Sequence, residues 1–242
     1  MGAISSSVNQ RGRSFQADLH ALRRALLFQM LDRDDLGQLV TVAVWRTYKR
    51  RERIASAEDL SRYLLVIMEG QARLVRYSPQ GRIITIDRLF TSESCGMPGI
   101  RGTAPLMSNL EAMAEGTKVC WLPLDAVSAL IATKPQVTLR MADLLVERLV
   151  RAYDRIADLA SQPVLVRLAH TLAEYGEVDP RRQASLSREE LAALIGASRE
   201  EVTRGLKRLH ALHLITLSPH HSTIHIDNRK ILAALEVELE HM

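Results

Sequence analysis

One short predicted helix carries polar side chains whose types suit the recognition of nucleic acid. On the face opposite its apolar residues lie Arg199, Glu200, Thr203, Arg204 and Lys207. Arginine can donate two hydrogen bonds to guanine O6 and N7, glutamate can accept one from cytosine N4, and lysine or threonine can hold phosphates. The pattern therefore predicts a surface that reads base edges in DNA. The alternative is a solvated face on which Arg and Glu pair locally, the common fate of charged helix residues.

Two consecutive helix-start signals place that helix in a larger motif. Residues 187–190, Ser-Arg-Glu-Glu, have the spacing of a capping box, and residues 198–201 repeat the same four residues. Gly196 lies between the two motifs and can end the first helix in a tight turn. Residues 215–226 predict a β-hairpin. Two capped helices around a glycine turn, followed by a hairpin, indicate a winged helix-turn-helix.

The stretch from residue 42 to residue 124 has the sequence pattern of short strands. Strand-like segments lie at residues 42–48, 63–68, 72–77, 83–88, 110–114 and 118–122. Short strands separated by turn signals predict an antiparallel roll or barrel. Apolar residues at helical spacing over 17–27 and 34–40 predict two short helices before it.

A long helix is predicted over Pro135–Ser161, and Pro163, which lacks a backbone N–H, ends it. Apolar residues recur along this helix at intervals of three and four, as in a coiled coil. This seam comprises Ala142, Leu145, Leu149, Ala152, Ile156 and Leu159. Met141 and Leu144 supply a second apolar face that can pack on the roll. We therefore expect the seam to face a second copy of the chain in a homodimer.

The amino-acid composition is consistent with a globular protein built from these helices and strands. The chain has 242 residues, 47% hydrophobic and 25% charged, as in an ordinary soluble globular protein. Its longest aliphatic run, residues 64–68, is far shorter than the ~20 residues that span a bilayer. We expect a cytoplasmic α+β protein without membrane contact. Its predicted parts are a disordered lead-in over 1–16, a β-roll effector domain over 17–134, a dimerisation helix over 135–162 and a winged helix-turn-helix over 163–242.

The helix-turn-helix residues also resemble those of a known family. Residues 195–206, Ile-Gly-Ala-Ser-Arg-Glu-Glu-Val-Thr-Arg-Gly-Leu, closely resemble the recognition segment of the cyclic-AMP receptor protein/fumarate-nitrate regulator (CRP/FNR) superfamily of bacterial transcription factors. Residues 68–74 resemble the glycine motif of that family's cupin-like β-roll, and residues 81–82 its hairpin turn. The resemblance implies a homodimer on a pseudo-palindromic DNA operator with half-sites similar to TGTGA, and RNA polymerase as a further partner.

The resemblance also implies roles for individual residues. Base contacts would come from Arg199, Glu200 and Arg204, supported by Thr203 and Lys207. The start of the preceding helix would approach the DNA backbone through Ser187, Arg188 and Glu189. The dimer coiled coil would include Leu149, Ala152 and Ile156.

The chain departs from the family pattern where cyclic nucleotides bind. Gly96-Met97 stands where a Gly-Glu pair holds the ribose, and Met107-Ser108 stands where an Arg-Ser pair neutralises the phosphate. Tyr153 occupies a position of adenine-contacting hydroxyl residues. Methionine can neither accept a ribose hydroxyl bond as a carboxylate does nor balance a phosphate charge. We therefore expect a degenerate pocket that does not bind cyclic AMP in the usual mode, with either another small-molecule effector or ligand-independent activity.

Other sensing chemistries have few candidate ligands. The two cysteines, Cys95 and Cys120, form no CxxC pair and are too few for an iron–sulfur cluster, and we expect no metal site. No histidine lies between His20 and His170, so haem in the roll would need Cys95 or Met97. A haem sensor and a thiol redox sensor stay open as alternatives. Against both, the cysteines can be buried small hydrophobes.

Nothing in the residue pattern indicates catalysis. The chain shows no Ser/His/Asp order, phosphate-cradling loop or paired acid cluster, so we expect no enzyme. A further alternative is a ligand-binding or scaffold module whose helix-turn-helix contacts protein. The net charge of +4 favours a polyanionic partner, but residues 131–242 hold 15 basic and 15 acidic residues. Recognition of DNA must then depend on how a few charges are displayed on one helix.

Overall fold

The structure is a computed structural model that describes residues 15–79, 81–96, 108–178, 183–184, 186–218 and 224–227. The chain divides into two compact units, each described separately below. One comprises Met1–Gly81 with Thr85–Leu149, and the other Arg82–Ile84 with Val150–Met242. The predicted lead-in over 1–16 lies outside the described residues except for Phe15 and Gln16, where the first helix begins.

The first unit holds most of the strands. Its helices are α1 (Phe15–Arg23), α2 (Arg33–Val42), α3 (Ala57–Leu60) and α4 (Leu124–Thr133), and α5 (Pro135–Ser161) begins here. Its strands are β1 (Val44–Tyr48), β2 (Arg53–Ala55), β3 (Tyr63–Glu69), β4 (Ala72–Tyr77), β5 (Ile83–Leu89), β6 (Ser94–Cys95), β7 (Asn109–Ala112) and β8 (Thr117–Pro123), where only residues 85–89 of β5 belong to this unit.

These strands form two four-stranded sheets, with the orders β1-β8-β3-β6 and β2-β7-β4-β5. Strand β3 pairs antiparallel with both β8 and β6, and β4 pairs antiparallel with β7. The predicted antiparallel roll is confirmed. Strand β3 is buried on both faces, so both of its faces are apolar. Leu65 and Ile67 pack into the core shared with the second sheet, and Leu64 and Val66 pack against helices.

The helix side of the roll holds the start of α5. Buried residues of α1, α2 and α4 form one apolar cluster, and Val137 of α5 is 1% exposed within it. Met141 and Leu144 are partly buried against the same cluster. The predicted second apolar face of the long helix is thus confirmed, because this face packs on the roll.

The second unit contains the remaining elements. They are α6 (Val164–Val178), α7 (Arg188–Ile195), α8 (Arg199–Ala211), β9 (Gln183–Ala184), β10 (Ile215–Leu217) and β11 (Ile224–Ile226). Strands β10 and β11 pair antiparallel, with Ile215 opposite Ile226, and β9 adds a third strand. The predicted winged helix-turn-helix is confirmed, and residues 219–223 of the hairpin lie outside the described part of the chain.

Gly205 of α8 determines how closely α6 and α8 pack. A Cβ on Gly205 would lie 2.7 Å from Cδ2 of Leu168, so no larger residue fits without a shift of that leucine. Val202, Leu206 and Leu209 of α8 are each at most 3% exposed. The buried stripe of α8 therefore fixes which of its faces points outward.

Candidate nucleic-acid interface

The two predicted capping boxes are both present. The Ser187 backbone N–H donates to Glu190 Oε2 at 2.7 Å, and the Glu190 N–H donates to Ser187 Oγ at 3.2 Å. At the start of α8, the Ser198 N–H donates to Glu201 Oε2 at 2.7 Å. This backbone hydrogen bond holds the pKa of Glu201 below its ordinary value. The first residues of α7 and α8 are therefore fixed by local bonds that the sequence motifs encode.

The turn between α7 and α8 depends on glycine for two reasons. Gly196 has φ 65° and ψ 40°, a left-handed conformation that side chains disfavour. A Cβ at this position would also lie 2.7 Å from Cδ2 of Leu159. The next residue, Ala197, donates its N–H to the Ala192 carbonyl at 3.1 Å, which closes the end of α7.

The outward face of α8 carries the predicted base-contacting residues. Arg199, Glu200, Arg204 and Lys207 are exposed, and Thr203 is half-buried. The Thr203 hydroxyl donates to the Arg199 carbonyl at 2.8 Å, so in this state its proton is used within the helix. The structure thus presents two guanidinium groups, a carboxylate and an ammonium group on one accessible helix face.

Two of the predicted DNA-contact residues, Glu189 at the start of α7 and Arg199 at the start of α8, form an ion pair. Glu189 Oε1 lies 3.6 Å from Arg199 Nη1, with side chains 72% and 61% exposed. Such an exposed pair is weak and can open when a phosphate or base competes for the guanidinium. Arg188 and Ser187 are half-buried, and the Ser187 hydroxyl serves the capping box. Sequence reasoning did not foresee the Glu189–Arg199 pair.

Family comparisons agree with this arrangement. Residues 45–134 match the cyclic nucleotide-binding domain, and residues 166–235 match the Crp-like helix-turn-helix domain. The chain belongs to the CRP/FNR superfamily. It combines the nucleotide-binding domain and the DNA-binding helix-turn-helix of CRP-family transcription regulators.

Several CRP/FNR proteins are similar over most of the chain. The CRP-like cAMP-activated global transcriptional regulator of Mycobacterium tuberculosis is 26% identical over 192 residues, covering 76% of this chain and 85% of that protein. A solved CRP-family transcriptional regulator of Thermus thermophilus is 26% identical, with TM-score 0.66, covering 80% and 95% of the two chains. The c-di-GMP responsive regulator CLP of Xanthomonas campestris, 20% identical with TM-score 0.67 and covering 81% and 99%, shares the fold.

One face of α5 exposes apolar side chains at the spacing of a coiled coil. Val146 and Tyr153 are each 60% exposed, and Ile156 is 61% exposed. The exposed positions at intervals of three and four are Leu139, Ala142, Val146, Leu149, Tyr153 and Ile156. We call this set the exposed row. A continuous row of exposed apolar side chains on one helix face is typical of a surface that binds a partner.

The predicted dimer seam coincides with the exposed row at Ala142, Leu149 and Ile156 and differs from it at the other positions. Leu145 of the predicted seam is half-buried, whereas its neighbour Val146 is exposed. Leu159 lies against Gly196 in the turn of the helix-turn-helix. Ala152 is exposed, but the bulky exposed side chain beside it is Tyr153, which the sequence analysis assigned to the effector pocket.

The described part of the effector region contains a polar contact that sequence reasoning missed. Arg148 of α5 places Nε 2.9 Å from Asp87 Oδ2 of β5, and its Nη2 donates to the Ser94 carbonyl of β6 at 2.8 Å. Side chains of Arg148 and Asp87 are 31% and 20% exposed. An arginine of the long helix is therefore bonded directly to two strands of the roll.

Gly96 and Ser108 of the predicted effector pocket lie within the described part of the chain. Gly96 has φ 109°, and a Cβ there would overlap the Tyr63 carbonyl oxygen, so this position serves the backbone turn. Ser108 is 5% exposed. Met97 and Met107 lie outside the described residues, and neither side chain can hold a ribose hydroxyl or a phosphate charge.

Both cysteines are buried on strands of the roll. Neither Cys95 nor Cys120 is part of a disulfide. Burial raises the pKa of the Cys95 thiol to about 11. At neutral pH this thiol is protonated, and a protonated thiol is a weak nucleophile and a weak iron ligand. In the second unit, His210 Nδ1 lies 2.9 Å from the Ile215 carbonyl oxygen, a contact that involves this histidine in local structure.

Over the residues that the structure covers, no helix is both long enough and apolar enough to cross a bilayer.

Proposed function

We propose that this CRP/FNR chain is a homodimeric regulator that binds a pseudo-palindromic DNA operator without requiring cyclic AMP. The observation that carries the proposal is the outward face of α8, where Arg199, Glu200, Arg204 and Lys207 are exposed while the opposite stripe is buried. An exposed set of donors and one acceptor at the start of a capped second helix matches the docking of a recognition helix in the major groove.

Each exposed side chain has a role that its chemistry supports. Arg199 and Arg204 can each donate two bonds to guanine, and Glu200 can accept from cytosine N4. Lys207, farther along the helix, suits phosphate contact. Ser187, Arg188 and Glu189 at the start of α7 lie beside this face, as the 3.6 Å contact of Glu189 with Arg199 indicates, and suit contacts near the backbone.

The exposed row of α5 supports the homodimer. Two copies of the row can pack as a parallel coiled coil around a two-fold axis. A two-fold dimer carries two copies of α8, so it prefers half-sites one helical turn apart, about 34 Å along the DNA. RNA polymerase is the further partner that the family implies.

Independence from cyclic AMP is supported by the roll. Met97 and Met107 replace the two groups that would anchor the nucleotide, and Arg148 already connects α5 to β5 and β6 through Asp87 and Ser94. These contacts of Arg148 form without a ligand. The proposal allows either no effector or an effector of different chemistry.

The proposal is tested by selecting duplexes from a random pool with purified, ligand-free full-length protein. We expect the selected sequences to converge on an inverted repeat. If no sequence is enriched, or binding is insensitive to salt, the helix-turn-helix serves a different purpose, such as protein contact. The same selection repeated with cyclic AMP should return the same repeat at the same affinity.

A further inference from the structure

The end of α7 receives two arginines from other helices. Nη2 of Arg155, on α5, donates to the Leu194 carbonyl, and Nε of Arg167, on α6, donates to the Ile195 carbonyl at 3.0 Å. Nη1 of Arg167 also donates to the Gln162 carbonyl, at 2.6 Å, in the link between α5 and α6. All of these residues belong to the second unit.

These bonds satisfy groups that a helix cannot satisfy alone. The last carbonyls of an α-helix lack intrahelical partners and carry partial negative charge, so a cationic donor there is favourable. Both guanidinium groups are half-buried, which limits competition from water. Because the two donors come from different helices, the same bonds that cap α7 also attach it to α5 and to the α5–α6 link.

An apolar contact reinforces the attachment. Leu159 lies one turn beyond Arg155 on α5, and its Cδ2 occupies the space where a Cβ of Gly196 would be. Gly196 is the turn residue directly before the capped start of α8. The end of α5 thus contacts the last residues of α7 through a hydrogen bond and the turn of the helix-turn-helix through close packing.

We propose that Arg155, Leu159 and Arg167 form a brace that fixes the helix-turn-helix on the end of α5, and that this brace sets the operator spacing the dimer accepts. The inference rests on the proposed function, a dimer that reads two half-sites. Arg155 and Arg167 are positioning residues in this account. They hold α7 and α8 and do not contact DNA.

Spacing is the property that such a brace controls. In the dimer, the distance of each α8 from the two-fold axis depends on how rigidly α7 and α8 are held at the end of α5. Adding one base pair between half-sites moves them apart by about 3.4 Å and rotates one by about 35°. With a rigid brace, α8 cannot move to meet the shifted half-site, so the dimer loses affinity. With a loosened brace, the helix-turn-helix is connected to α5 mainly through residues 162–163 and can move to the new position.

The test uses full-length protein, the half-site selected by the unaltered protein, and duplexes whose spacer is lengthened or shortened by up to two base pairs. Fluorescence anisotropy gives the affinity for each duplex and for a single half-site. We expect the unaltered protein to lose at least about tenfold in affinity at two added base pairs, a loss comparable to one or two mismatches. For Arg155→Met and Arg167→Met we expect a loss below about threefold, with single half-site affinity unchanged.

Matched variants distinguish the loss of the brace from a general effect of removing an arginine. Arg62→Met removes an arginine whose 68% exposed side chain pairs with Glu58 in the first unit, and it should keep the sharp spacing preference. Arg155→Lys retains a positive charge and N–H donors without the planar guanidinium fork, and it should retain part of the spacing preference. Circular dichroism and thermal melting establish that each variant is folded. If Arg155→Met does not fold, Arg155→Lys and Arg167→Met carry the comparison.

Several results would overturn the inference. One is a sharp spacing preference in both folded methionine variants, equal to that of the unaltered protein. Another is a loss of single half-site affinity without a change in spacing preference, which would make the arginines DNA contacts. A flat spacing profile in the unaltered protein would also contradict the brace. If the unaltered protein selects no half-site at all, the proposed function itself fails, an outcome distinct from the other three.

Discussion

Arg148 Nε lies 2.9 Å from Asp87 Oδ2, so an arginine of the long helix and an aspartate of strand β5 are paired within the first unit. The same guanidinium donates to the Ser94 carbonyl, one residue before the buried Cys95. This contact connects α5 to strands β5 and β6 of the roll. It is the clearest structural reason to expect that α5 keeps its place on the roll in the absence of cyclic AMP.

Replacing Arg148 should destabilise the first unit. In Arg148→Met, Asp87 and the Ser94 carbonyl lose their partner in a partly desolvated site, and we expect a loss of about 1–3 kcal/mol in the free energy of unfolding. Urea unfolding at fixed protein concentration measures it. Arg62→Met, which opens an exposed pair with Glu58, should change the free energy by less than about 0.5 kcal/mol. Equal effects of the two substitutions would contradict a special role for Arg148.

Glu200 should determine the preference at one operator position. Removing its carboxylate in Glu200→Ala eliminates an acceptor for cytosine N4, so discrimination at one base pair of each half-site should fall by about 1–3 kcal/mol. Affinities for all single-base variants of the selected half-site measure this loss. If Glu200→Ala ranks all half-site variants as the unaltered protein does, Glu200 does not read a base.

The exposed row predicts which substitution breaks the dimer. An aspartate introduced by Val146→Asp would be buried in the coiled coil without a partner, and we expect the dissociation constant of the dimer to rise at least about a hundredfold. Analytical ultracentrifugation measures the mass as a function of concentration. Arg151→Asp introduces the same residue on the opposite face of α5 and should leave the dimer intact. A Val146→Asp protein that stays dimeric would place the interface elsewhere.

The buried Cys95 thiol predicts a loss of stability at alkaline pH. Its pKa is raised from an ordinary value of 9.0 to about 11, so above pH 9 the unfolded chain releases this proton while the folded chain retains it. Stability should therefore fall between those two values, by at most about 1.4 kcal/mol per pH unit from this thiol. Urea unfolding across this pH range should show a shallower fall for Cys95→Ala. An identical pH dependence in both proteins would mean that the thiol titrates normally.

Local signals in the sequence were sufficient to predict the helix-turn-helix of α7 and α8. Both capping boxes and Gly196 involve residues within a few positions of one another, so their spacing alone predicts the two helices and the turn. The strand at Tyr63–Glu69 is equally visible because residues 64–68 form a continuous apolar run. Strands β2, β6 and β9 have two or three residues each and show no periodicity, so only their pairing with distant segments defines them.

Other features depend on contacts between distant residues. The heptad pattern of α5 allows more than one register, and only packing on the roll shows that Leu145 is half-buried while Val146 faces outward. Arg155 and Arg167 bond carbonyls 39 and 28 residues away, and Arg148 bonds one 54 residues away. An arginine in a helix gives no sequence signal that it will bond a remote carbonyl. These contacts required the folded chain.

The measurement that tests the central claim most directly is equilibrium binding of purified, ligand-free full-length protein to its selected inverted-repeat duplex, with and without cyclic AMP. The account predicts a dissociation constant of about 10 nM or tighter at physiological salt, at least about a thousandfold tighter than for a scrambled duplex, and no change when cyclic AMP is added. Equal affinity for the scrambled duplex, or tight binding only in the presence of cyclic AMP, would contradict it.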